Sequence, residues 1–523
     1  LPDGMTYING NAMLASASDE AEHTYERNTV QSFNTGSWNA INNPDNVWGN
    51  YYIGIRKANQ VIVSLDKIDL SQYKNDPSAS AQETFKAYSA EVIRWGFEAR
   101  FLRAFFYFEL IKRYGGVPLL TEALPLDTDF SSIPRNSLDE CIKFIVNECN
   151  ASVPELPPYS FLANYDANDV GRRATKYAAL ALKSRVLLYA ASDLFNTPSW
   201  AGGYAKPELI SLTGVSRNTR WKAAADAAKE AIDAMSLLSL NTSYSAVFNN
   251  FNLPEIILCK RTTASNTFEK SNEPVGFPSG GGLTTPSQNQ VDAYEMKTTG
   301  KPISDPTSGY NPNNPYANRD PRLASSIVLN NTIFGTPSRA VQLYNGGLDA
   351  LPLPNASKTG YYIRKYIQES LDLQKGQTGV HSWIIFRLPE LYLNYAEALN
   401  ESDPGNANIK TYVDKVRIRS SVAMPVLPIG LSQNEMRDRI RNERRVEFAF
   451  EDQRFWDVRR WMQAPTYFGS PLKGMDITQT GPNQFIYVVK EVESRVFQPK
   501  MYLYPIPQSE INIDGSLVQN PLW

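Results

Sequence analysis

The chain has 523 residues, 42% of them hydrophobic and 20% charged, which excludes a disordered chain and leaves room for a large core. Its 52 basic residues against 54 acidic ones give a net charge of −2, which excludes nucleic acid or an acidic membrane surface as the main partner. No run approaches ~18 apolar residues, so no helix is expected to cross a bilayer. No signal peptide is visible, and the start at Leu1 without an initiator Met reads as a processed or trimmed end. The 3 cysteines cannot close a disulfide framework. Cys141 and Cys149 are eight residues apart on a helical pattern, ~12 Å at ~1.5 Å per residue, too far for a bridge. With Cys259 they read as small buried apolar groups. His23 and His381 are isolated, so neither a zinc site nor any other metal or cofactor is expected.

In chain order, residues 1–40 read as irregular and polar. A helix fits "NVWGNYYIGIRKANQVIVSLDKI". A longer one, "AYSAEVIRWGFEARFLRAFFYFELIKRYGG", places Phe97, Phe101, Leu102, Phe105, Phe108 and Ile111 at three-four spacing and stops at Gly115-Gly116. Ser137 is positioned to cap "SLDECIKFIVNECNASV". The next helix, "ATKYAALALKSRVLLYAASDLF", carries Ala174, Ala178 and Ala181 as a small-residue seam, and "WKAAADAAKEAIDAM" follows. From about 240 to 380 the periodicity gives way to loops such as "FPSGGGLTTPSQN", "SDPTSGYNPNNPYANRDPR" and "NGGLDALPLPNASKTGYY". Helices resume at "FRLPELYLNYAEALN", "IKTYVDKVRIRSS" and "LSQNEMRDRIRNERRVEFAFE". Helical pairs with small residues at their seams predict a mostly α, tetratricopeptide-like scaffold with little β structure, each pair burying its face on a neighbour.

The stretch "RNERRVEFAFEDQRFWDVRRW" (Arg441–Trp461) invites a nucleic-acid reading, which its charge rejects. From Glu435 to Arg460 there are eight arginines and seven acids, one net positive charge, whereas phosphate binding needs several uncompensated cations. Helical spacing pairs Arg439 with Glu435 and Glu443, Arg441 with Asp438, Arg444 with Glu447, Arg454 with Glu451 and Asp457, and Arg460 with Asp457. Arg437, Arg445 and Arg459 have no partner at that spacing and must find one elsewhere. The stretch reads as an ion-pair lattice on a partly buried helix.

Seven segments carry a resemblance: "NVWGNYYIGIRKAN" (46–59), "EARFLRAFFYFELIKRYGGVPLL" (98–120), "VDAYEMKTTGKPI" (291–303), "NRDPRL" (318–323), "FRLPELYLNYAEALN" (386–400), "RNERRVEFAFEDQRFWDVRRW" (441–461) and "YLYPIPQSEINIDGSLVQNPLW" (502–523). In order and spacing they resemble the SusD/RagB family across essentially the whole chain. The resemblance implies one SusD-like domain over 1–523, with a helical scaffold at about 40–240 and 385–465 and a loop-rich, ligand-facing region at about 1–45 and 240–380. It implies a surface-exposed lipoprotein of the outer membrane in Bacteroidetes-type bacteria that captures an oligosaccharide or polysaccharide. The captured glycan would pass to a SusC-type TonB-dependent barrel, on which the protein sits as a lid. The lipid-bearing cysteine would precede Leu1. Glu443, Arg444, Arg445, Glu447 and Arg454 are implied to stabilise the helical layer.

Sugar recognition needs aromatic planes for the apolar ring faces and short polar side chains for the hydroxyls, on loops held by a rigid body. Trp38, between Gly36-Ser37 and Asn39 in a polar stretch, is expected to expose its ring as a stacking platform. Asn39, Asn42, Asn43 and Asp45 lie beside it as hydrogen-bonding candidates, and Asp19 can approach from the preceding segment. In the middle loops Phe277, Tyr310, Tyr316 and Tyr344 sit among Gly, Pro and Asn, each either a ligand contact or a pin for its loop. Trp48, Tyr294 and Tyr361 read as structural. The Asp and Asn residues of "SDPTSGYNPNN" lack calcium-loop spacing.

Three other functions stay open: a binder of a non-glycan nutrient such as peptide, a protein-binding repeat scaffold, and a glycosidase. The last needs two carboxylates in a cleft, one of them protonated. The arginines around Glu443 and Glu447 hold both ionised, and no G-x-S-x-G, P-loop or H-E-x-x-H motif is present, so no catalytic residue is expected.

Overall fold

The computed structural model describes residues 1–5, 11–125, 127–158 and 171–523. Residues 6–10 of the expected loop-rich start, and 126 and 159–170 of the expected helical stretch, lie outside the described residues. The sequence reads as one domain; its residues cluster in two compact units, Leu1–Trp38 with Leu237–Gln498, and Asn39–Ser236 with Pro499–Trp523. Among the described residues no helix is long and apolar enough to cross a membrane.

The second unit is a stack of helices: α1 (Trp48–Ser64), α2 (Ala79–Tyr114), α3 (Leu138–Ser152), α4 (Lys176–Ala191) and α5 (Arg217–Ala234). Each packs on the next, so burial is shared between neighbours as in a solenoid. Local chemistry sets the ends. Ser137 and Glu140 form a complete capping box on α3, as the sequence suggests. The second helix begins eight residues earlier than its periodicity implies, because Ser78 accepts a hydrogen bond from the Ala81 amide. It ends at Gly115 (φ +74°), where a side chain would also strike the Leu209 carbonyl, so glycine is needed on both counts. Ala178 and Ala181 are buried in α4, but Ala174 lies outside it, since Thr175 caps the helix and starts it later. Charged pins cross the stack: Glu148 receives Arg100 at 2.8 Å and Arg103 at 2.6 Å.

The first unit carries its strands in two-stranded pairs. Strand β1 (Ala21–His23) pairs with β3 (Thr284–Pro286), β2 (Ile256–Arg261) with β4 (Ser382–Arg387), and β5 (Leu472–Gly481) with β6 (Gln484–Glu493), all antiparallel. Between them stand α6 (Leu388–Ser402), α7 (Ala407–Arg417), α8 (Gln433–Glu447) and α9 (Gln453–Arg460).

The arginine-rich stretch is not one helix. The chain turns between α8 and α9, with Phe450 and Asp452 both at positive φ. Most of the pairings expected from helical spacing are replaced by longer-range ones, within α8 as well as across the turn, because acids of other segments pack against these arginines. Only Arg460–Asp457, at 2.8 Å, is found among those expected pairs in the described ion pairs. Arg444 reaches Asp457 across the turn at 2.8 Å, and Arg439 reaches Glu295 at 2.8 Å. Of the three arginines without helical partners, Arg437 meets Glu401 at 2.5 Å, Arg445 meets Asp19 at 2.8 Å, and Arg459 lies 3.5 Å over the Phe455 ring. Glu443 is held by Arg322 and Arg417, and Glu447 by Arg322, Arg387 and Arg419. Burial alone would raise the Glu447 pKa, but the surrounding guanidinium groups outweigh it and hold the carboxyl far below the usual range.

Two acids of the N-terminal segment behave in the opposite way. Glu20 is fully buried and accepts a hydrogen bond from the Phe450 amide at 3.1 Å, yet burial pushes its pKa from 4.5 to about 8. Burial likewise raises Glu22 to about 7, Lys358 opposing it too weakly. Groups whose folded pKa is raised favour folding below the unfolded value of 4.5 and lose that advantage as pH climbs through 7 and 8. The melting temperature is expected to fall by several degrees between about pH 5 and about pH 9. The Glu20→Gln variant should melt higher than the parent at the alkaline end and show a flatter profile by calorimetry.

Candidate functional site

The structure scatters the residues expected to bind ligand. Trp38 is 1% exposed, its ring meeting Phe33 edge-on at 5.0 Å. The expected exposed platform is thus absent at this position: the indole is packed inside, where its apolar surface is removed from water. Asp19 is buried between Arg454 and Arg445, each at 2.8 Å. Burial pushes its pKa up, and the two arginines more than reverse that, so it stays ionised and fully engaged. Asp45 is buried as well, accepting from Arg113 Nε at 2.8 Å and from the Tyr504 hydroxyl at 3.0 Å. Asn39 is exposed, but its Oδ1 accepts from the Ile41 and Asn42 amides. Asn43 is half-buried and its Oδ1 accepts from the Asp45 amide. These side chains shape the turn before α1. Phe277 is buried against Phe334 with Arg339 stacked 4.0 Å above it, so it pins its loop and offers no open face. Asp305, in the loop considered for a cation, spends its carboxylate on Thr307. Among the described residues no cluster of His, Cys, Asp or Glu is placed to hold a metal ion.

Tyr316 and Tyr344 fare differently, because the β5–β6 hairpin joins them. Phe485 and Tyr487 sit two residues apart on β6, on one face of the strand, opposite Gln479 and Ile477. Tyr344 lies 5.7 Å from Phe485, at 31° between planes. Phe485 lies 6.3 Å from Tyr487, and Tyr487 lies 5.3 Å from Tyr316, edge to face. The result is a row of four rings, each half-buried, each keeping part of its surface open to solvent. The row is braced from behind: the Tyr316 hydroxyl donates to that of Tyr361 at 3.2 Å, which donates to Gln288 Oε1 at 2.5 Å. Tyr361 and Tyr294 are buried, as the sequence implies. The Tyr344 hydroxyl is fixed by Gln342 Oε1 at 3.0 Å.

The polar margin of this row is rich in amides and poor in net charge. Asn331, Asn345 and Asn483 are exposed beside it, Asn331 and Asn483 in mutual reach at 3.5 Å. Asn345 donates to Asp476 at 3.2 Å, and Lys490 meets the same carboxylate at 3.0 Å. Burial raises the Asp476 pKa, but the hydrogen bonds from Lys490 and Asn345 and the Lys490 charge together outweigh it and lower the pKa below the ordinary value. Burial raises the Tyr487 phenol, so it stays a neutral donor and acceptor, with the Asn330 amide close by. On the hairpin, Lys473 and Lys490 stand against Asp476, Glu491 and Glu493, one net negative charge. Such a surface suits an uncharged ligand with apolar ring faces and many hydroxyls. Phe485 and Tyr487 were not among the sequence candidates. Their signal is the alternation in "QFIYVVKEVE" after the turn residues Gly481-Pro482-Asn483.

A family model described as "SusD family" matches residues 254–523, and a second, "Starch-binding associating with outer membrane", matches residues 4–188. SusD-like protein P2 of Formosa agariphila is 31% identical over 165 residues, which is 30% of this chain and 29% of that protein, so the match spans under a third of the relative. The crystal structure of a SusD-like protein from Bacteroides fragilis is 28% identical, with a TM-score of 0.77 over 98% of this chain and 93% of that one. A SusD-like carbohydrate binding protein from the same species is 25% identical, with a TM-score of 0.77 over 99% of this chain and 96% of that one. The first family model alone covers more than half of the sequence, and the mostly helical architecture with its small paired strands is that of the solved relatives: this chain belongs to the SusD family.

Proposed function

We propose that this chain is a glycan-binding protein of the outer membrane surface, which captures an uncharged oligosaccharide or polysaccharide and delivers it to a SusC-type TonB-dependent barrel. The carrying observation is the braced row Tyr344, Phe485, Tyr487 and Tyr316 with amides along its margin. The planes of Tyr344 and Phe485 lie 31° apart, so neighbouring sugar units can rest C–H faces on these two, while Tyr487 and Tyr316, inclined to them and edge to face with each other, offer ring surface to a chain that twists along the row. The carbohydrate-binding relative and the starch-binding, outer-membrane description of the second family model support the same reading. A lipid attached before Leu1 would hold the protein at the membrane.

The reading assigns no catalysis. Glu443 and Glu447, the acids nearest to a glycosidase pattern, are fully buried and ion-paired, which does not suit either to act as a general acid. Isothermal titration of the chain against a panel of neutral and anionic polysaccharides tests the proposal. Saturable binding to at least one neutral polymer is expected, with no reducing sugar released on prolonged incubation. Binding confined to anionic polymers or to peptides would refute it. Added contacts from the barrel should tighten capture, so the purified complex is expected to bind the same glycan more strongly than the chain alone. Equal affinities would remove the barrel from recognition.

A further inference from the structure

The second unit contains a cavity of about 360 Å³ that the aromatic row does not use. Trp48 and Tyr52 of α1 form one wall, Leu120 and Leu124 of the segment after α2 a second, and Leu517 after the short helix Gln508–Ile513 a third. These walls are fixed. The Tyr52 hydroxyl donates to the Pro118 carbonyl at 2.9 Å, and Arg56 donates to the Leu124 carbonyl at 2.7 Å. The Asn59 amide donates to both the Leu120 and Glu122 carbonyls at 2.9 Å. Arg135 ties down the C-terminal segment through the Val518 carbonyl at 2.7 Å and Asn520 Oδ1 at 2.9 Å. A frame bonded in this way cannot collapse to fill the space, although apolar interiors otherwise close-pack.

Two features define what the cavity takes. Its apolar lining continues outward, with Ile53 56% exposed, Phe130 36% and Ile513 63%. A small molecule filling the interior would leave that rim wet, whereas a macromolecular partner with an inserted anchor would cover it. Charge is the second feature. Glu122, Glu510 and Asp514 line the cavity against a single base, Arg56; Asp514 Oδ1 accepts from the Ser516 amide at 2.9 Å and hydroxyl at 2.6 Å, and none of the three carboxylates takes part in a described ion pair. A ligand entering here meets an apolar interior with uncompensated negative charge around it.

We propose that this cavity is a socket for a segment of a protein partner that presents an aromatic side chain next to a lysine or arginine. The ring enters between Trp48, Tyr52 and Leu124, and the cation faces Glu510 and Asp514. The test uses the full chain and three capped tetrapeptides, Gly-Phe-Arg-Gly, Gly-Phe-Glu-Gly and Gly-Ala-Arg-Gly, titrated by NMR or calorimetry. The Phe-Arg peptide should bind at least about tenfold more tightly than either control. Ile513→Asp, at an exposed position, should weaken it, and Glu510→Lys should invert the preference between the Phe-Arg and Phe-Glu peptides, both variants melting like the parent. Equal affinity for all three peptides, or no saturation at several millimolar, overturns the proposal. So does 2-phenylethylamine binding as tightly as the Phe-Arg peptide, which would assign the cavity to a small molecule.

Discussion

Replacing Arg387 by methionine is expected to cost about 3–5 kcal/mol of unfolding free energy at neutral pH. The side chain is 2% exposed at the end of β4 and makes five hydrogen bonds. Two go to Glu451 at 2.8 Å each, one to Glu447 Oε1 at 2.5 Å, one to the Glu447 carbonyl at 2.7 Å and one to Glu255 at 3.1 Å. Methionine approximates the stem but leaves these buried carboxylates short of positive charge. Arg419, Arg322 and Lys365 remain, each already engaged. Desolvated carboxylates lacking a counter-charge dominate the loss, far above the value of the pairs themselves. The pH dependence follows from the lowered Glu447 pKa: its stabilisation is present above the unfolded value of 4.5 and vanishes as pH falls through the folded one. Parent and variant should therefore differ most near neutrality and converge on acidification, as denaturant unfolding at both pH values would show. A loss under ~1 kcal/mol at neutral pH would mean that the cluster is not the girder of this unit. Arg437→Met is the contrast, because its pair with Glu401 is partly exposed and should matter by less than ~1 kcal/mol.

Tyr487→Ala should weaken glycan binding by roughly fivefold to tenfold, on the order of 1 kcal/mol for one stacked ring. Adding Phe485→Ala removes two adjacent planes and should take affinity below detection. Both rings are half-buried on a two-stranded hairpin, so the melting temperature should shift little. Trp38→Ala should do the reverse. Emptying a fully buried indole site costs about 3–5 kcal/mol of stability, while the fraction that folds keeps its affinity. Calorimetric titration paired with thermal melts separates the two outcomes. If Tyr487→Ala bound like the parent and Trp38→Ala lost affinity at unchanged stability, the hairpin row would not be the platform.

The contrast between Trp38 and Tyr487 shows where reading a sequence runs out. Trp38 stands among Gly, Ser and Asn, a context that resembles a surface loop, yet it is buried against Phe33, which itself packs on the distant Phe455. Tyr316 and Tyr344 stand in loops of the same composition and are brought within one ring of β6. Nothing within a few residues of any of these aromatics distinguishes them. The amides show the same limit: Asn39 and Asn43 have the chemistry for hydroxyl recognition, and their backbone neighbours consume it.

What the amino-acid sequence determined by itself was local and additive: helices with their caps and stops, the small-residue seams, and the ordered motifs that mark the family. Helix periodicity and capping act over three or four residues, so they are written in consecutive letters. Tertiary structure alone decided which charges pair and which rings stay open. Arg454 finds Asp19 across 435 positions and Tyr344 meets Phe485 from a distant loop. Burial of a charge or a ring depends on what the rest of the chain places around it, and that is settled only when distant segments pack together.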